Sequence, residues 1–553
     1  MNKLTRILTC LSQGSSESVQ SGRSLGDLDK YLHIKRDIED VLCHKMDEIK
    51  AEGGGLILLV GSAGDGKSHL ISSVRQNEQY SCYRFHNDAT ESYSPVKTAI
   101  DTLKDVLVDF SDENLYSTDK KLVLAINIGK LNAFVEDLEA QEKYRSLVQF
   151  ISPLFEEGFG NIEDSNRIKV VQFTNQQIFE FDKTSDSQYP VDSYFLKEFL
   201  RKLTCAESGN PFYAAYQESI PYDNSVTDPV VINYQLLSIP TVQDTIIKLV
   251  IESIVRYKLI VTPREFQDFI YSILVYEDLD HYSDDKCFLE SLLPTMLFSG
   301  DRSKIQRSIS QLDPLKYSNT GHDNDLAALF TSPEIPAGFI DEEILAEKAP
   351  VLMSKVRLMC GNNRKNIMRT TQFLFRLKHI MSYHSECEEY VSFLRCLKGF
   401  FNDDGQEVQA LYQMVNTVIP RHYGSYYSPE RTVPLNIQGS HHRLFATINI
   451  SPAEYAGYYE KPNIFSLSVS MSWWCQGEPI RLMVDYQLYE YLYCLNKGKL
   501  SLNFDSSKNM AFSHFIRNLV SKSENKTEII VMTSDNQKFL LQKQFGVISY
   551  RKC

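Results

Sequence analysis

The most constraining feature of the sequence is a wholly apolar run, residues 56–60, that leads directly into the glycine-rich segment 61–68. A short run without polar residues is typical of a buried central strand in a parallel sheet. The segment after it, GSAGDGKS, fits the pattern G-x-x-x-x-G-K-[ST], and apolar residues at helical spacing follow it. A strand, a glycine loop and a helix in this order predict a phosphate-binding loop.

The residue types in this loop suit a nucleotide. The glycines let the backbone curl so that successive N–H groups point inward at phosphate oxygens, and the following helix directs its positive end at the same anion. We expect Lys67 to reach the β- and γ-phosphates and the Ser68 hydroxyl to bind Mg²⁺. A carboxylate beside a polyphosphate is repulsive, so we expect Asp65 to turn outward or to hydrogen-bond the loop. The predicted ATP-binding residues are Gly61, Ser62, Ala63, Gly64, Asp65, Gly66, Lys67, Ser68 and His69.

The rest of the first half alternates between strand and helix patterns. Further strands are expected at residues 81–86, 122–128 and 169–174. Helices are expected at residues 28–50, 95–110 and 131–150. This alternation predicts a parallel sheet with right-handed crossovers.

The second half has two different patterns. Helical spacing dominates from about residue 240, and strand-like runs return from about 425, with one helix near 509–522. The last of these runs, residues 545–550, is expected to form a strand. The predicted fold class is α/β, with a P-loop NTPase (AAA+-like) parallel-sheet core. The predicted domains are an ATPase core at 1–240, a helical lid or middle domain at 241–425, and a C-terminal α+β domain at 426–553.

Nucleotide hydrolysis needs an acidic residue near the metal, normally at the end of a neighbouring apolar strand. The strand that runs through residues 122–126 is followed by Asn127 instead. The nearest carboxylates by pattern are Asp88 and Glu91, just after the second predicted strand. They could serve the catalytic metal, with Asp88 as a ligand, or cap the helix that begins near Pro95. The sequence leaves both interpretations open.

Two further residues complete the predicted catalytic set of Lys67, Asp88, Glu91, Asn127, Asn175 and Arg264. Asn175 follows the fourth predicted strand, where AAA+ ATPases have an asparagine that orients the attacking water. Arg264 opens a helix in the segment TPREF, where lid helices of AAA+ proteins often supply a γ-phosphate sensor. An ordinary turn asparagine and a solvated first-turn arginine are the respective alternatives.

Composition narrows the class of protein. The chain has 553 residues, 43% of them apolar and 23% charged, which is typical of a soluble globular protein with several domains. Lys and Arg total 58 against 71 Asp and Glu, a formal charge of −13 that argues against a DNA-coating surface. The cysteines have no metal-site spacing, and no apolar run is long enough for a membrane span. We therefore expect a cytoplasmic protein without a membrane partner.

Other clusters point less clearly to chemistry. A basic helical stretch contains Arg364, Lys365, Arg369, Arg376 and Lys378 and could be a solvated face or a contact with nucleic acid or a partner subunit. Tandem histidines at 441–442, adjacent tryptophans at 473–474 and the tyrosine-rich segment 484–493 are expected to pack rather than react. The sequence contains no convincing nuclease or Ser/His/Asp motif.

Several phrases together resemble one family. They are YLHIKRDIEDVL, LILLVGSAGDGKSHLI, HNDATES, LAINIGKLNAF and TPREFQDFI, with VDYQLYEYLYCLNKGKL and FLLQKQFGVISY near the end. These resemble the DptF family of DNA phosphorothioation-dependent restriction proteins. The GDGKSH form of the loop and the NDATES phrase carry most of the specificity.

The resemblance implies an ATP-binding subunit of a bacterial defence complex. Such proteins act with DptG- and DptH-like partners to restrict DNA that lacks phosphorothioate modification, and DNA would be contacted through the complex. Self-association of the chain is also open. Three hypotheses follow: an ATPase motor or switch of that complex, a nucleotide-binding scaffold with little hydrolysis that gates partner assembly, and an unrelated STAND-type signalling ATPase.

Overall fold

The computed structural model describes most of the chain. The residues described are 2–12, 27–62, 64–87, 99–156, 164–173, 178–181, 189–220, 228–276, 285–317, 320–331, 334–362, 364–383, 387–402, 404–422, 432–435, 442–447, 451–452, 466–475, 478–499, 509–522 and 528–552. They form a mixed α/β protein that divides into two compact units. Unit 1 comprises residues 1–180 and 192–384, and unit 2 comprises residues 181–191 and 385–553. The predicted boundaries at 240 and 425 stay a prediction.

Unit 1 is built on a parallel sheet of four strands. In chain order they are β1 Gly55–Gly61, β2 Arg84–Asn87, β3 Lys121–Asn127 and β4 Ile168–Gln172. The spatial order is β2-β3-β1-β4, so β1 lies inside the sheet with β3 and β4 on either side. All seven residues of β1 are buried, as its apolar sequence predicts. The expected strands are confirmed, although β2 begins three residues later than the pattern indicated.

Helices cover both faces of this sheet, and alternate residues of β1 point into two different apolar clusters. Leu56, Leu58 and Val60 pack with residues of the segment 103–151. Ile57 and Leu59 pack with residues of the segments 38–49 and 70–74. The period-two alternation of a strand therefore supplies both layers of the core.

The described helices of unit 1 are, in chain order, α1 Lys3–Leu8, α2 Asp27–Leu32, α3 Asp37–Ala51, α4 Lys67–Val74, α5 Ala99–Val106, α6 Ile128–Glu136, α7 Leu138–Lys143, α8 Arg145–Ile151, α9 Pro153–Glu156, α10 Tyr194–Thr204, α11 Pro211–Ser219, α12 Pro229–Leu237, α13 Pro240–Tyr257, α14 Pro263–Leu274, α15 Asp285–Glu290, α16 Leu293–Ser299, α17 Lys304–Ile309, α18 Thr320–Thr331, α19 Glu342–Lys348, α20 Pro350–Asn362 and α21 Arg364–Met381. Short 3₁₀ helices occupy Thr9–Leu11, Glu78–Tyr80, Val108–Phe110, Ser310–Leu312 and Pro314–Lys316.

The prediction of a single helix over residues 28–50 is wrong. It is two helices, α2 and α3, separated by four non-helical residues at 33–36. The interruption contains neither glycine nor proline. Instead, Arg36 contacts the glycine-rich loop at the Asp65 carbonyl and His33 contacts His69 of α4, and these tertiary contacts override the local helical pattern.

The basic helix α21 also differs from expectation. Arg376 is buried, and its Nη2 lies 2.6 Å from Asp313 Oδ2 in an ion pair. The Lys378 amino group lies 2.5 Å from Asp325 Oδ2. The basic stretch was expected to be a solvated face or a contact with nucleic acid or a partner subunit. Both expectations are wrong for Arg376, whose side chain is buried against Asp313. Arg369 remains half-exposed, and the side chains of Arg364 and Lys365 lie outside what the structure describes.

Unit 2 combines helices with antiparallel sheets. The helices described in this unit are α22 Glu388–Phe401, α23 Gly405–His422, α24 Tyr486–Asn496 and α25 Met510–Ser521. Strands β5 Glu180–Phe181 and β6 Val191–Asp192 lie where the chain passes between the units. The other strands in the described part of this unit are β7 Thr432–Pro434, β8 His442–Thr447, β9 Ser451–Pro452, β10 Ser468–Cys475, β11 Glu478–Asp485, β12 Glu528–Thr533, β13 Lys538–Gln544 and β14 Val547–Lys552. They form sheets of order β11-β10-β9 and β14-β13-β12-β8-β7.

The end of unit 2 is a hairpin rather than the single strand expected at 545–550. Phe545 and Gly546 form the turn between β13 and β14, with φ of 50° and 82°. Trp473 is fully buried, with its ring centroid 4.7 Å from that of Phe515. Tyr486 and Tyr489 are also buried, so these aromatic residues pack as predicted. None of the helices that the structure describes is both long and apolar enough to span a membrane.

Candidate functional site

The glycine-rich loop connects the carboxyl end of β1 to the first turn of α4. Gly64 and Gly66 have φ of 88° and 95°, in the left-handed region that glycine adopts without strain. Gly66 is the N-cap residue of α4, directly before its first residue. The loop therefore lies at a helix N-terminus and at the carboxyl edge of a parallel sheet, two places where anions bind.

Lys67 and Asp65 both turn into the loop. The Lys67 side chain is only 7% exposed, and its Nζ donates a hydrogen bond to the Ser62 carbonyl over 2.5 Å. Burial lowers the pKa of Lys67, while the Asp65 charge opposes that shift. The Asp65 carboxylate accepts a hydrogen bond from the Ser62 N–H, as expected if it hydrogen-bonds the loop. Burial raises the pKa of Asp65, against the lowering effects of the Ser62 N–H, Lys67 and Arg36.

Neighbouring strands bring two asparagines to the same edge of the sheet. Asn127 ends β3 directly opposite Gly61 in the parallel register. Asn87 ends β2, and its Nδ2 donates a hydrogen bond to Ser68 Oγ over 2.7 Å. A hydroxyl oxygen has two lone pairs, so Ser68 can accept this bond and still offer an electron pair to a metal.

A second helix N-terminus approaches the loop from the helical part of unit 1. A Cβ placed on Gly64 would lie 3.2 Å from Thr262 Oγ1. Thr262 caps α14 through a capping box with Glu265, in which each side chain bonds the other residue's backbone N–H. Arg264 lies in the first turn of this helix, half-buried, two residues after Thr262. The structure thus places the TPREF segment beside the loop.

The interruption between α2 and α3 supplies the remaining neighbours. His33 Nδ1 lies 2.9 Å from His69 Nε2, and His33 Nε2 lies 3.1 Å from Glu39 Oε2. Burial, followed by the His33 charge, lowers the pKa of His69 to about 4. The hydrogen bond from His33 lowers the pKa of Glu39. Arg36, from the same segment, contacts the loop backbone at the Asp65 carbonyl.

The predicted residues are thus brought together only in part. Gly61, Ser62, the segment 64–69 and Asn127 lie within the described site, and Arg264 is on the neighbouring helix. Ala63, Asp88, Glu91 and Asn175 lie outside the described residues. Asp88 nevertheless directly follows Asn87 in the chain, and Asn175 follows β4 by three residues.

The site also contains residues that the sequence pattern did not single out. Asn87, Thr262, His33 and Arg36 all contact the loop or the first turn of α4, but they come from distant parts of the chain. Asn87 could have been found from its place at a strand end beside the glycine-rich loop. Thr262 begins the TPREF segment, which the sequence already indicates as a lid helix. His33 and Arg36 carry no local signal, because only the tertiary fold places them there.

The described arrangement fits a phosphate group. A buried ammonium, two glycines with positive φ and a helix N-terminus lie together in this loop, and each favours an anion. Comparison with known proteins adds no relative, because no protein-family model matches the chain and no curated protein matches it significantly.

Proposed function

We propose that unit 1 binds ATP with Mg²⁺ at the loop 61–68. The observation that carries this proposal is the Lys67 ammonium, 7% exposed inside a glycine loop that joins a buried parallel strand to a helix. A buried cation at a helix N-terminus is costly unless an anion binds beside it. Lys67 would hold the β- and γ-phosphates, the Ser68 hydroxyl would bind Mg²⁺, and the metal would neutralise charge on the phosphates.

The positions of the strand ends support different roles for Asp88 and Asn127. The contact between Asn87 and Ser68 brings the end of β2 to the proposed metal ligand. Asp88 is the next residue, so we assign it, rather than Asn127, as the acidic partner of the metal. Asn127, opposite Gly61, would orient the water that attacks the γ-phosphate. Arg264 would act as the γ-phosphate sensor, supported by the contact of Thr262 with the loop.

We further propose that this ATPase is a subunit of a restriction system that acts on DNA without phosphorothioate modification. The support is the set of phrases in the sequence, GDGKSH and NDATES above all. The net charge of −13 and the buried ion pair of Arg376 favour DNA contact through partner subunits rather than through this chain. The alternative is a nucleotide-dependent switch with little hydrolysis, which the amide of Asn127 beside Gly61 favours.

Calorimetric titration of the full chain with ATP and Mg²⁺ tests the first proposal. Wild type should bind, Lys67→Ala should lose binding, and Lys120→Ala should bind as wild type. Lys120 is a matched control because it is exposed and precedes β3, at the opposite edge of the sheet from the loop. Equal binding by wild type and Lys67→Ala would refute a nucleotide site at this loop.

ATP turnover separates the two functional alternatives. It should be measured for the chain alone and with its DptG- and DptH-like partners, on unmodified and on phosphorothioated DNA. Turnover that rises with partners and unmodified DNA supports the restriction ATPase. Tight binding with no turnover under any of these conditions supports the switch. Restriction that persists unchanged in Lys67→Ala would exclude both.

A further inference from the structure

The four residues 33–36, between α2 and α3, run alongside the phosphate-binding loop. They are held at both ends. On one side the Tyr31 hydroxyl donates to the Lys202 carbonyl of α10 over 2.7 Å, and Lys202 Nζ donates to the Tyr31 carbonyl over 2.7 Å. On the other side α3 packs its apolar face under the sheet. The segment is therefore anchored independently of the loop.

Arg36 is the residue of this segment that contacts the loop backbone. Its Nη2 donates a hydrogen bond to the Asp65 carbonyl over 3.0 Å. A Cβ built on Gly66 would lie 2.9 Å from the same nitrogen, so the guanidinium lies directly against Gly66. The guanidinium carbon is 5.2 Å from the centre of the Phe173 ring, just after β4, within the range of a cation–π contact.

The direction of this hydrogen bond indicates what Arg36 does. In a planar trans peptide the C=O and the following N–H point in opposite directions. Arg36 donates to the Asp65 carbonyl, so the N–H of Gly66 in the same peptide points away from that hydrogen bond. The guanidinium lies on the carbonyl side of this peptide.

The groups around the Arg36 guanidinium stabilise it in this position. Burial lowers the pKa of Arg36, with the charges of Asp65 and Glu39 acting against that shift. The half-buried guanidinium thus has an aromatic face, a carbonyl and two carboxylates around it. His33, three residues earlier, contacts His69 at 2.9 Å and so fixes the first turn of α4 from the same segment.

We propose that Arg36 is a positioning residue for the phosphate-binding loop: it orients the Asp65–Gly66 peptide so that the Gly66 N–H faces the phosphates. The proposal rests on the proposed function, since the oriented N–H serves a nucleotide phosphate. Beyond the proposed function, it states that phosphate affinity depends on a contact from a segment outside the glycine-rich motif. Arg36 does not touch the ligand.

The test compares Arg36→Ala, Arg36→Lys and the control Arg75→Ala in the full chain. Arg75 is exposed at the far end of α4 and carries the same charge. Affinities for ATP and for adenosine are measured by calorimetry. Loss of a hydrogen bond from a charged donor should weaken ATP binding by roughly tenfold or more in Arg36→Ala. Adenosine affinity should not change, because adenosine has no phosphate, and a general disturbance of the unit would weaken both ligands.

Arg36→Lys keeps the charge and one donor, so it should recover part of the ATP affinity. Hydrogen exchange of the loop amides, followed by mass spectrometry without nucleotide, provides the second measurement. Exchange over residues 64–68 should be faster in Arg36→Ala than in wild type and unchanged in Arg75→Ala. This measurement does not depend on ATP binding.

The outcomes separate the two proposals. If Arg36→Ala binds ATP with wild-type affinity while Lys67→Ala does not bind ATP, the positioning role is overturned and the proposed nucleotide site stands. If wild type binds no ATP, the proposed function fails, and unchanged loop exchange in Arg36→Ala then overturns the positioning role as well. If Arg36→Ala loses its far-UV circular dichroism signal, Arg36→Met decides, because methionine keeps the aliphatic chain but has no donor for the Asp65 carbonyl. Wild-type ATP affinity and wild-type loop exchange in Arg36→Met overturn the positioning role.

Discussion

Mild acid should destabilise unit 1 through one imidazole, that of His69. The contact between His33 and His69 has two ring nitrogens 2.9 Å apart, so one of them must be without a proton. Glu39 lies on the other side of His33, with its Oε2 3.1 Å from His33 Nε2. Burial and the His33 charge then hold His69 neutral and lower its pKa from 6.5 to about 4.

The sign and size follow from proton linkage. The folded pKa is depressed, so the unfolded chain takes up a proton near pH 6.5 that the native protein does not bind until about pH 4. The stabilisation is complete above pH 6.5 and is lost as the pH falls towards 4. Between pH 7.5 and pH 5.0 the loss is on the order of 2 kcal/mol in the free energy of unfolding.

The assay is urea unfolding of wild type and His69→Gln at pH 7.5 and pH 5.0, followed by far-UV circular dichroism. Other titrating groups contribute to both proteins, so the difference between their pH dependences isolates His69. Glutamine can still accept a hydrogen bond from His33. His514→Gln, which removes an exposed imidazole of α25, is the control and should behave as wild type.

Tryptophan fluorescence gives an internal reference in the same samples. The two tryptophans of the chain, at 473 and 474, belong to unit 2. Burial lowers the pKa of His422, also in unit 2, to about 4. The fluorescence transition should therefore shift with pH equally in all three proteins. The reasoning is refuted if His69→Gln shows the same pH dependence as wild type by circular dichroism.

Two further substitutions test other contacts. Asn87→Ala removes the hydrogen-bond donor to Ser68, and we expect the affinity for ATP with Mg²⁺ to fall by about three- to tenfold. When the titration is repeated with a chelator of Mg²⁺, the difference between wild type and variant should be smaller. An equal difference with and without the chelator would show that Asn87 does not act through the metal. Asp313→Ala leaves the Arg376 guanidinium buried without its carboxylate, so the free energy of unfolding should fall by about 3–5 kcal/mol. Replacing both partners, Asp313→Leu with Arg376→Met, should recover most of that loss in urea titrations, and no recovery would show that the pair itself stabilises the fold.

The local part of the site could be predicted from sequence. An apolar strand, the glycine pattern and the helix after it are adjacent in the chain, so pattern and structure coincide over residues 55–74. The same holds for β3, whose apolar run fixes its position within a residue. These elements are determined by near neighbours and by burial, which a single sequence records.

The rest depended on tertiary contacts. Residues 33–36 continue a helical pattern but leave the helix, because Arg36 and His33 bond to the loop and to α4. The spacing of the basic residues in α21 gave no sign that Arg376 would meet Asp313, 63 residues away in sequence. The hairpin turn at Phe545 was missed for another reason. A phenylalanine with positive φ is uncommon, and the following glycine was the available signal.

The contact of Thr262 with Gly64 has a consequence for how the protein is made. The loop leaves the ribosome long before its neighbour: at ~5–20 residues per second, Thr262 is synthesised roughly 10–40 s after Gly64. Late in that interval the nascent chain has the glycine loop and the strands but not the helix that lies beside the loop. Cotranslational folding can therefore complete the sheet early, whereas the contact between the loop and α14 must wait for the helical half of unit 1. A nucleotide that needs both parts would be captured only by the nearly complete unit.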